Sequence, residues 1–209
     1  VVPAPQNVDF HTEDNAWEYC VNHKDVALIP TSKGNPISGG SFSGGNGVYL
    51  TSNKYYFSPK LADSTKANDI LFSLPYNHAQ CGVYANHSIK TDIIPFVQIN
   101  SNPNVCAGQT SFDISVTKRN ATSLNWTTDG GPGDFKTVKS DSTEVLFYPT
   151  NDQLLANKFS ISVKATNNGA CAPFTATKLF SINPAPVVLF SSKRAGCEPL
   201  AIHFNSDSV

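Results

Sequence analysis

The chain contains no methionine, and only 15% of its residues are Asp, Glu, Lys or Arg, against roughly a quarter in an average globular protein. Without a Met at position 1, Val1 is not read as a translation start, and the sequence is expected to be a piece of a longer chain. Fifteen Lys and Arg against sixteen Asp and Glu leave a net charge of −1. No global field therefore draws the protein onto nucleic acid or an anionic membrane. No run approaches the length of a membrane-spanning helix, and no basic region followed by an apolar stretch opens the chain, so direct membrane insertion is not expected and any export signal is expected to have been removed. Also missing are a Gly-x-Ser-x-Gly elbow, a His-Glu-x-x-His pair and a phosphate-binding loop. The glycine-rich run 39–47 carries no Lys-Ser/Thr and opens no helix, so it reads as a tight strand connection. No catalytic constellation remains, and no enzymatic activity is expected.

What the sequence does hold is a hydrophobic fraction of 40%, enough for packed cores, punctuated by thirteen Gly and fourteen Pro in 209 residues. That is the composition of a turn-rich β protein. Apolar residues alternate with polar ones in short runs, as in Phe112, Ile114 and Val116 or Phe159, Ile161 and Val163, the period of half-buried strands. Similar runs at 27–29, 47–50, 70–74, 89–94, 145–148 and 187–190 are separated by clusters of Asn, Gly, Ser, Pro and Asp. The one helical hint is 152–158. Strands this short and this regularly spaced predict β-sandwiches.

Internal repetition sets the domain count. Pro5, Pro95 and Pro186 are spaced by 90 and 91 residues, Phe57-Ser58-Pro59 recurs 90 residues later as Phe147-Tyr148-Pro149, Cys81 and Cys171 are 90 apart, and Cys106 and Cys197 are 91 apart. The expected division is a first sandwich at 1–94, a second at 95–185, and the truncated start of a third at 186–209, joined by short, stiff linkers at Pro95 and Pro184-Ala185-Pro186.

The cysteines carry the same register. Each full unit has one cysteine before its first core strand and one after its penultimate run, which suggests the pairs Cys20–Cys81 and Cys106–Cys171 at one end of each sandwich. Bridges closing loops of that size would stabilise each unit by up to roughly 4 kcal/mol. Free buried thiols, or a metal held by His78, Cys81 and His87, are the alternatives; the latter lacks a second ligand pair at finger-like spacing. Disulfides imply an oxidising, extracytoplasmic compartment. Cys197 sits where Cys106 sits one repeat earlier, so it is unpaired within this sequence, and its partner is expected beyond Val209, by extrapolation from the repeat.

Particular residues carry a family resemblance. Residues 39–44 (Gly-Gly-Ser-Phe-Ser-Gly), Gly47-Val48, Phe57-Ser58-Pro59 and Cys81 resemble the immunoglobulin-like repeats of very large surface proteins of Bacteroidetes. The second unit, with Val105-Cys106-Ala107-Gly108, Trp126, Tyr148-Pro149-Thr150, Asn168-Gly169-Ala170-Cys171 and residues 182–186, is similar to the PKD-like repeats of the same proteins. Phe190 and residues 196–205 look like the opening of a further PKD domain. The resemblance spans essentially the whole chain. It implies an all-β fold of tandem immunoglobulin-like/PKD-like β-sandwiches arranged end to end. It also implies export across the outer membrane by type IX secretion and display at the cell surface as part of a gliding or attachment adhesin, stalk or fibre. Such arrays also occur as spacers on secreted hydrolases, so carbohydrate-binding or spacer domains of a secreted hydrolase stand as the alternative. Expected partners are neighbouring repeats of the same chain, and surface polysaccharide or other cell-surface proteins. Asp63-Ser64-Thr65 and Asp141-Ser142-Thr143 resemble the motif at which Bacteroidetes O-glycosylate exported proteins, making Ser64 and Ser142 candidate glycosylation sites; Asp207-Ser208-Val209 is a truncated third match.

Other candidates are weaker. No cofactor is expected, although Asp129 and Asp134 flank a Gly-Gly-Pro-Gly turn that could touch calcium without the further acidic positions of a dedicated loop. Tyr55 and Tyr56 lie beside a loop where a sugar could stack, but strand alternation would bury one and expose the other in any case. Trp126 is expected to pack in a core. Glu13, Asp14 and Glu18 are as readily solvated loop charges, and the five scattered histidines are expected to serve packing or surface roles.

Overall fold

The computed structural model describes residues 7–75, 82–129, 133–185, 189–191 and 205–207. Chain order in the first part is β1 (Val8–Thr12), β2 (Glu18–Cys20), β3 (Val26–Ser32), β4 (Asn35–Pro36), β5 (Ser41–Ser43), β6 (Val48–Thr51), β7 (Lys54–Phe57), β8 (Asn68–Pro75) and β9 (Gly82–Asp92). The second part runs β10 (Phe96–Ile99), β11 (Asn104–Cys106), β12 (Phe112–Arg119), β13 (Ser123–Thr128), β14 (Asp134–Thr137), β15 (Glu144–Tyr148), α1 (Asn151–Leu155), β16 (Lys158–Thr166) and β17 (Phe174–Asn183).

These strands make two sandwiches of one topology. Sheet β1-β3-β7-β6, with β4 on β3, faces sheet β2-β9-β8-β5; in the second sandwich β10-β12-β15-β14 faces β11-β17-β16-β13. Every ladder in them is antiparallel except β2 on β9 and β11 on β17, which are parallel. Two layers of short strands with this order form an immunoglobulin-like sandwich. Among the described residues the chain is all-β apart from α1, with its sandwiches in tandem, end to end. Beyond them, β18 (Leu189–Ser191) pairs antiparallel with β19 (Asn205–Asp207).

Alternation explains the layers. In β12, Phe112, Ile114 and Val116 are buried while Asp113 and Thr117 are exposed. In β16, Phe159, Ile161, Val163 and Ala165 are all fully buried. The repeat maps onto equivalent places: Val26 lies opposite Phe57 in the first sandwich and Phe112 opposite Phe147 in the second, with both phenylalanines fully buried. The second core is an aromatic stack in which the Phe159 ring meets those of Phe180, Phe147 and Phe112 at 5.1, 4.9 and 5.3 Å between centroids. Trp126 joins that core, and its indole N–H donates to the Ser142 carbonyl at 3.1 Å.

Two local details differ from the sequence expectation. The helix occupies 151–155, not 152–158: Thr150 and Gln153 form a reciprocal capping box at its start, and Asn157 at φ 54° turns the chain into β16 at Lys158. Strand β9 starts at Gly82, well before the run at Ile89, because Asn86, His87 and Ser88 break the apolar signal on a strand whose first half is only partly covered. The glycine-rich run does make a strand connection: Gly40 and Gly44, at φ 84° and 83°, bracket β5, and a Cβ at either would fall 2.5 Å from an atom of Phe72 or Asp69 on β8.

The first core contains one polar misfit. Thr91 of β9 is 2% exposed, and its hydroxyl has no hydrogen-bond partner among the described residues; the matching position in β17 is Ile182. A Thr91→Val variant should therefore raise the stability of the first sandwich by about 1 kcal/mol, seen as a higher midpoint in chemical denaturation. Conversely, Phe159→Ala should cost about 3–5 kcal/mol and abolish the near-ultraviolet signal of Trp126.

Candidate functional site

The distinctive site lies where the two sandwiches meet. Strand β9 ends at Asp92 and β10 begins at Phe96, so only Ile93, Ile94 and Pro95 connect them. Cys20, the last residue of β2, is seated beside Asp92 by the parallel ladder. Cys171 lies in the turn between β16 and β17 of the second sandwich. These two cysteines form a disulfide with Cα atoms 4.6 Å apart and a sequence separation of 151. Both are 7% exposed.

This bond corrects the expected pairing within each unit. Neither Cys20–Cys81 nor Cys106–Cys171 is formed, and Cys106 is exposed and outside any disulfide. Strand geometry gives the reason. Cys106 is seated beside Asn183, the last residue of β17, whereas Cys171 precedes the first residue of that strand. Ten strand residues span about 30 Å, several times the reach of a disulfide. The two cysteines of the second unit sit at opposite poles, and the bond among the described residues joins neighbouring units. Cys81 and Cys197 lie outside the described residues.

Around the bond is a polar clasp. Asp92 accepts a hydrogen bond from the Ala170 N–H at 2.8 Å, and the Asn167 side-chain amide donates to the Ile93 carbonyl at 2.9 Å. Lys90 bridges Asp92, at 2.9 Å, and Glu18. Burial opposes ionisation of Asp92, but the Ala170 N–H and the Lys90 ammonium outweigh it and hold the carboxyl below its ordinary range. Gly169 permits the close approach: a Cβ there would stand 2.2 Å from an Asp92 carboxylate oxygen.

The remaining candidates are dispersed. Tyr55 packs on Phe42 at 5.2 Å and lines an open cleft of about 560 Å³ in the first sandwich with Glu13, Leu50, Asn53 and Lys54. Tyr56 takes the other face of β7 and stacks on Tyr49 at 5.8 Å, so the two tyrosines do not share a platform. Ser64 and Ser142 each occupy the middle of a turn in which the preceding aspartate accepts from both the N–H and the hydroxyl of the following threonine; Ser208 lies outside the described residues. Asp129 accepts from Gln153 at 2.9 Å and from Thr128. Asp134 is exposed on β14, and 130–132 lie outside the described residues.

The acidic residues first read as loop charges are engaged. Glu13 pairs with Lys24 at 3.0 Å, Glu18 with Lys90, and Asp14 accepts from Thr12, Ala16 and Tyr19. Burial and the Asp14 carboxylate push the Tyr19 phenol well above its ordinary pKa. His87 meets Asp9 at 2.6 Å and stacks on Trp17; His78 lies outside the described residues. No group of three or more His, Cys, Asp or Glu side chains suited to a metal occurs among the described residues. No described helix is long and apolar enough to cross a membrane.

No family model matches the sequence, and no curated protein matches it. The backbone is similar to extracellular domains 3-5 of Drosophila OTK, with a TM-score of 0.53 at 8% identity over 86% of this chain and 62% of that one. It is also similar to immunoglobulin domains 1-5 of Sidekick-1, with a TM-score of 0.50 at 10% identity over 89% of this chain and 41% of that one. The chain thus spans less than two thirds of either. At these identities the likeness is one of fold: tandem immunoglobulin-like domains.

With the disulfide removed by Cys20→Ser and Cys171→Ser, the clasp alone should hold the junction. Adding Gly169→Ala should then separate the sandwiches, read as an increased radius of gyration in small-angle scattering with unchanged β-sheet circular dichroism. Because Asp92 titrates below its ordinary value of 3.8, the clasp should be intact at neutral pH and lost only as pH falls below about 4.

Proposed function

We propose that this chain is a non-enzymatic structural and adhesive repeat segment of a large bacterial cell-surface protein, a gliding or attachment adhesin exported by type IX secretion. The observation that supports it is the junction: a three-residue connection ending in Pro95, covalently bridged by Cys20–Cys171 and clasped by Asp92. Such a joint suits a fibre that transmits force along its length. Proline and the bridge together restrict the hinge, and the bond closes a loop through both sandwiches that restricts their unfolded states by about 5 kcal/mol in the chain-entropy account. A buried disulfide also favours an extracytoplasmic setting. Low charge with many Ser, Thr and Asn suits an extended, hydrated stalk, and glycans on Ser64 and Ser142 would add to that. Neighbouring repeats are its nearest partners, with surface polysaccharide or other surface proteins at the adhesive contact.

A second reading, a carbohydrate-binding or spacer region of a secreted hydrolase, is favoured by the cleft at Tyr55.

Pulled end to end in a force spectrometer, the oxidised chain should give a contour-length gain shortened by the residues locked between Cys20 and Cys171. Dithiothreitol should restore the full gain; identical traces before and after reduction would exclude the mechanical role. For the second reading, glycan-array binding should be lost in Tyr55→Ala and retained in Tyr56→Ala.

A further inference from the structure

We propose that Cys106 forms a second inter-sandwich disulfide, with a cysteine in the turn before the last strand of the sandwich that follows in the longer chain. The inference rests on the tandem-repeat part of the reading above, not on adhesion, and is read by peptide linkage instead of by binding.

Cys20 and Cys106 occupy one place in one topology. Each is the third residue of a three-residue strand lying parallel to the last strand of its sandwich, opposite that strand's final residue, Asp92 or Asn183. In each the next residue, Val21 or Ala107, donates its N–H to that final residue's carbonyl at 2.8 Å. Cys20 is buried because the Cys171 turn of the next sandwich closes on it; Cys106 is exposed. The chain also leaves the two places alike. After Asp92 come three residues ending in Pro95 and then β10, which pairs antiparallel with β12. After Asn183 come three residues ending in Pro186, and β18, which begins at Leu189, pairs antiparallel with β19. In chain order the β18–β19 pair thus follows Cys106 as the β10–β12 pair follows Cys20. Since Cys171 lies 151 residues beyond Cys20, the partner of Cys106 lies roughly 150 residues beyond it, past Val209.

The two junctions differ in their polar support. Glu18, Lys90 and Asp92 become Asn104, Ser181 and Asn183 at the same register positions. Those three positions offer no charged side chain to repeat the ion pairs of the first junction, so the proposed disulfide carries proportionally more of the connection.

The chemistry is thiol–disulfide exchange. The Cys106 thiolate attacks the disulfide of a dithiol-disulfide oxidoreductase, giving a mixed disulfide and releasing one oxidant thiolate. The partner thiolate then displaces the second. The oxidant gains two electrons as a dithiol, the two thiols lose them as a cystine, and the two thiol protons end on the reduced oxidant.

The test is non-reducing peptide mapping of the full natural chain, with free thiols blocked by N-ethylmaleimide before digestion. The expected result links Cys20 to Cys171, and Cys106 to a cysteine roughly 150 residues further on. Maleimide on Cys106, a bond from Cys106 to Cys81, to Cys197 or to a second copy of the chain, or a chain with no cysteine in that region would overturn the proposal. A Cys106→Ser variant gives an independent reading. It should expose one new maleimide-reactive thiol, in the following sandwich, while the Cys20–Cys171 peptide persists. A new reactive thiol elsewhere, or none, would overturn it as well.

Discussion

The parallel seating of β2 on the end of β9 is the constraint from which the junction follows. Three hydrogen-bonded residues fix Cys20 beside Asp92, at the pole where the chain departs for the next sandwich. That one placement puts a thiol, a carboxylate and a short connection within a few ångströms of each other. Cys171 and the Ala170 N–H then reach them from the other side. Had β2 paired one residue out of register, its alternation would have turned the thiol to the opposite face.

Covalent and polar terms divide the work at this joint. The disulfide limits separation whatever the salt or pH, while the Asp92 clasp sets orientation. Asp92 is well suited to it because two donors from different places, Ala170 in one sandwich and Lys90 in the other, converge on a carboxylate that is little exposed. A paired charge of this kind fixes geometry more reliably than it adds stability. The Gly169 backbone is what lets the turn come close enough, and no larger side chain fits there.

Much of the fold was legible along the chain. Phe112, Ile114 and Val116, and the runs beginning at Phe159 and Ile70, announced half-buried strands because a sandwich face is read by a period of two. The equivalent burial of Phe57 and Phe147 explains why their motif recurs 90 residues apart. Legibility failed where a strand is poorly covered, as in the first half of β9, and where an element is decided by a cap, as at Asn157. The tyrosines at 55 and 56 were read as lying beside a loop; they stand on β7, and which of its faces carries a cleft depends on the opposing sheet.

The cysteine spacing illustrates the division most clearly. By itself the sequence determined that there is a repeat of about 90 residues, that its units are β-sandwiches, and that cysteines fall at the same two places in each. Periodicity records which positions are equivalent, and equivalence between units is a one-dimensional property. It does not record distance. Bonding within a unit and bonding between successive units preserve the same spacing, so the sequence is silent between them. Only the tertiary structure decided the matter, because β17 keeps Cys106 and Cys171 at its opposite ends, while the second sandwich brings Cys171 to within 4.6 Å of Cys20, Cα to Cα.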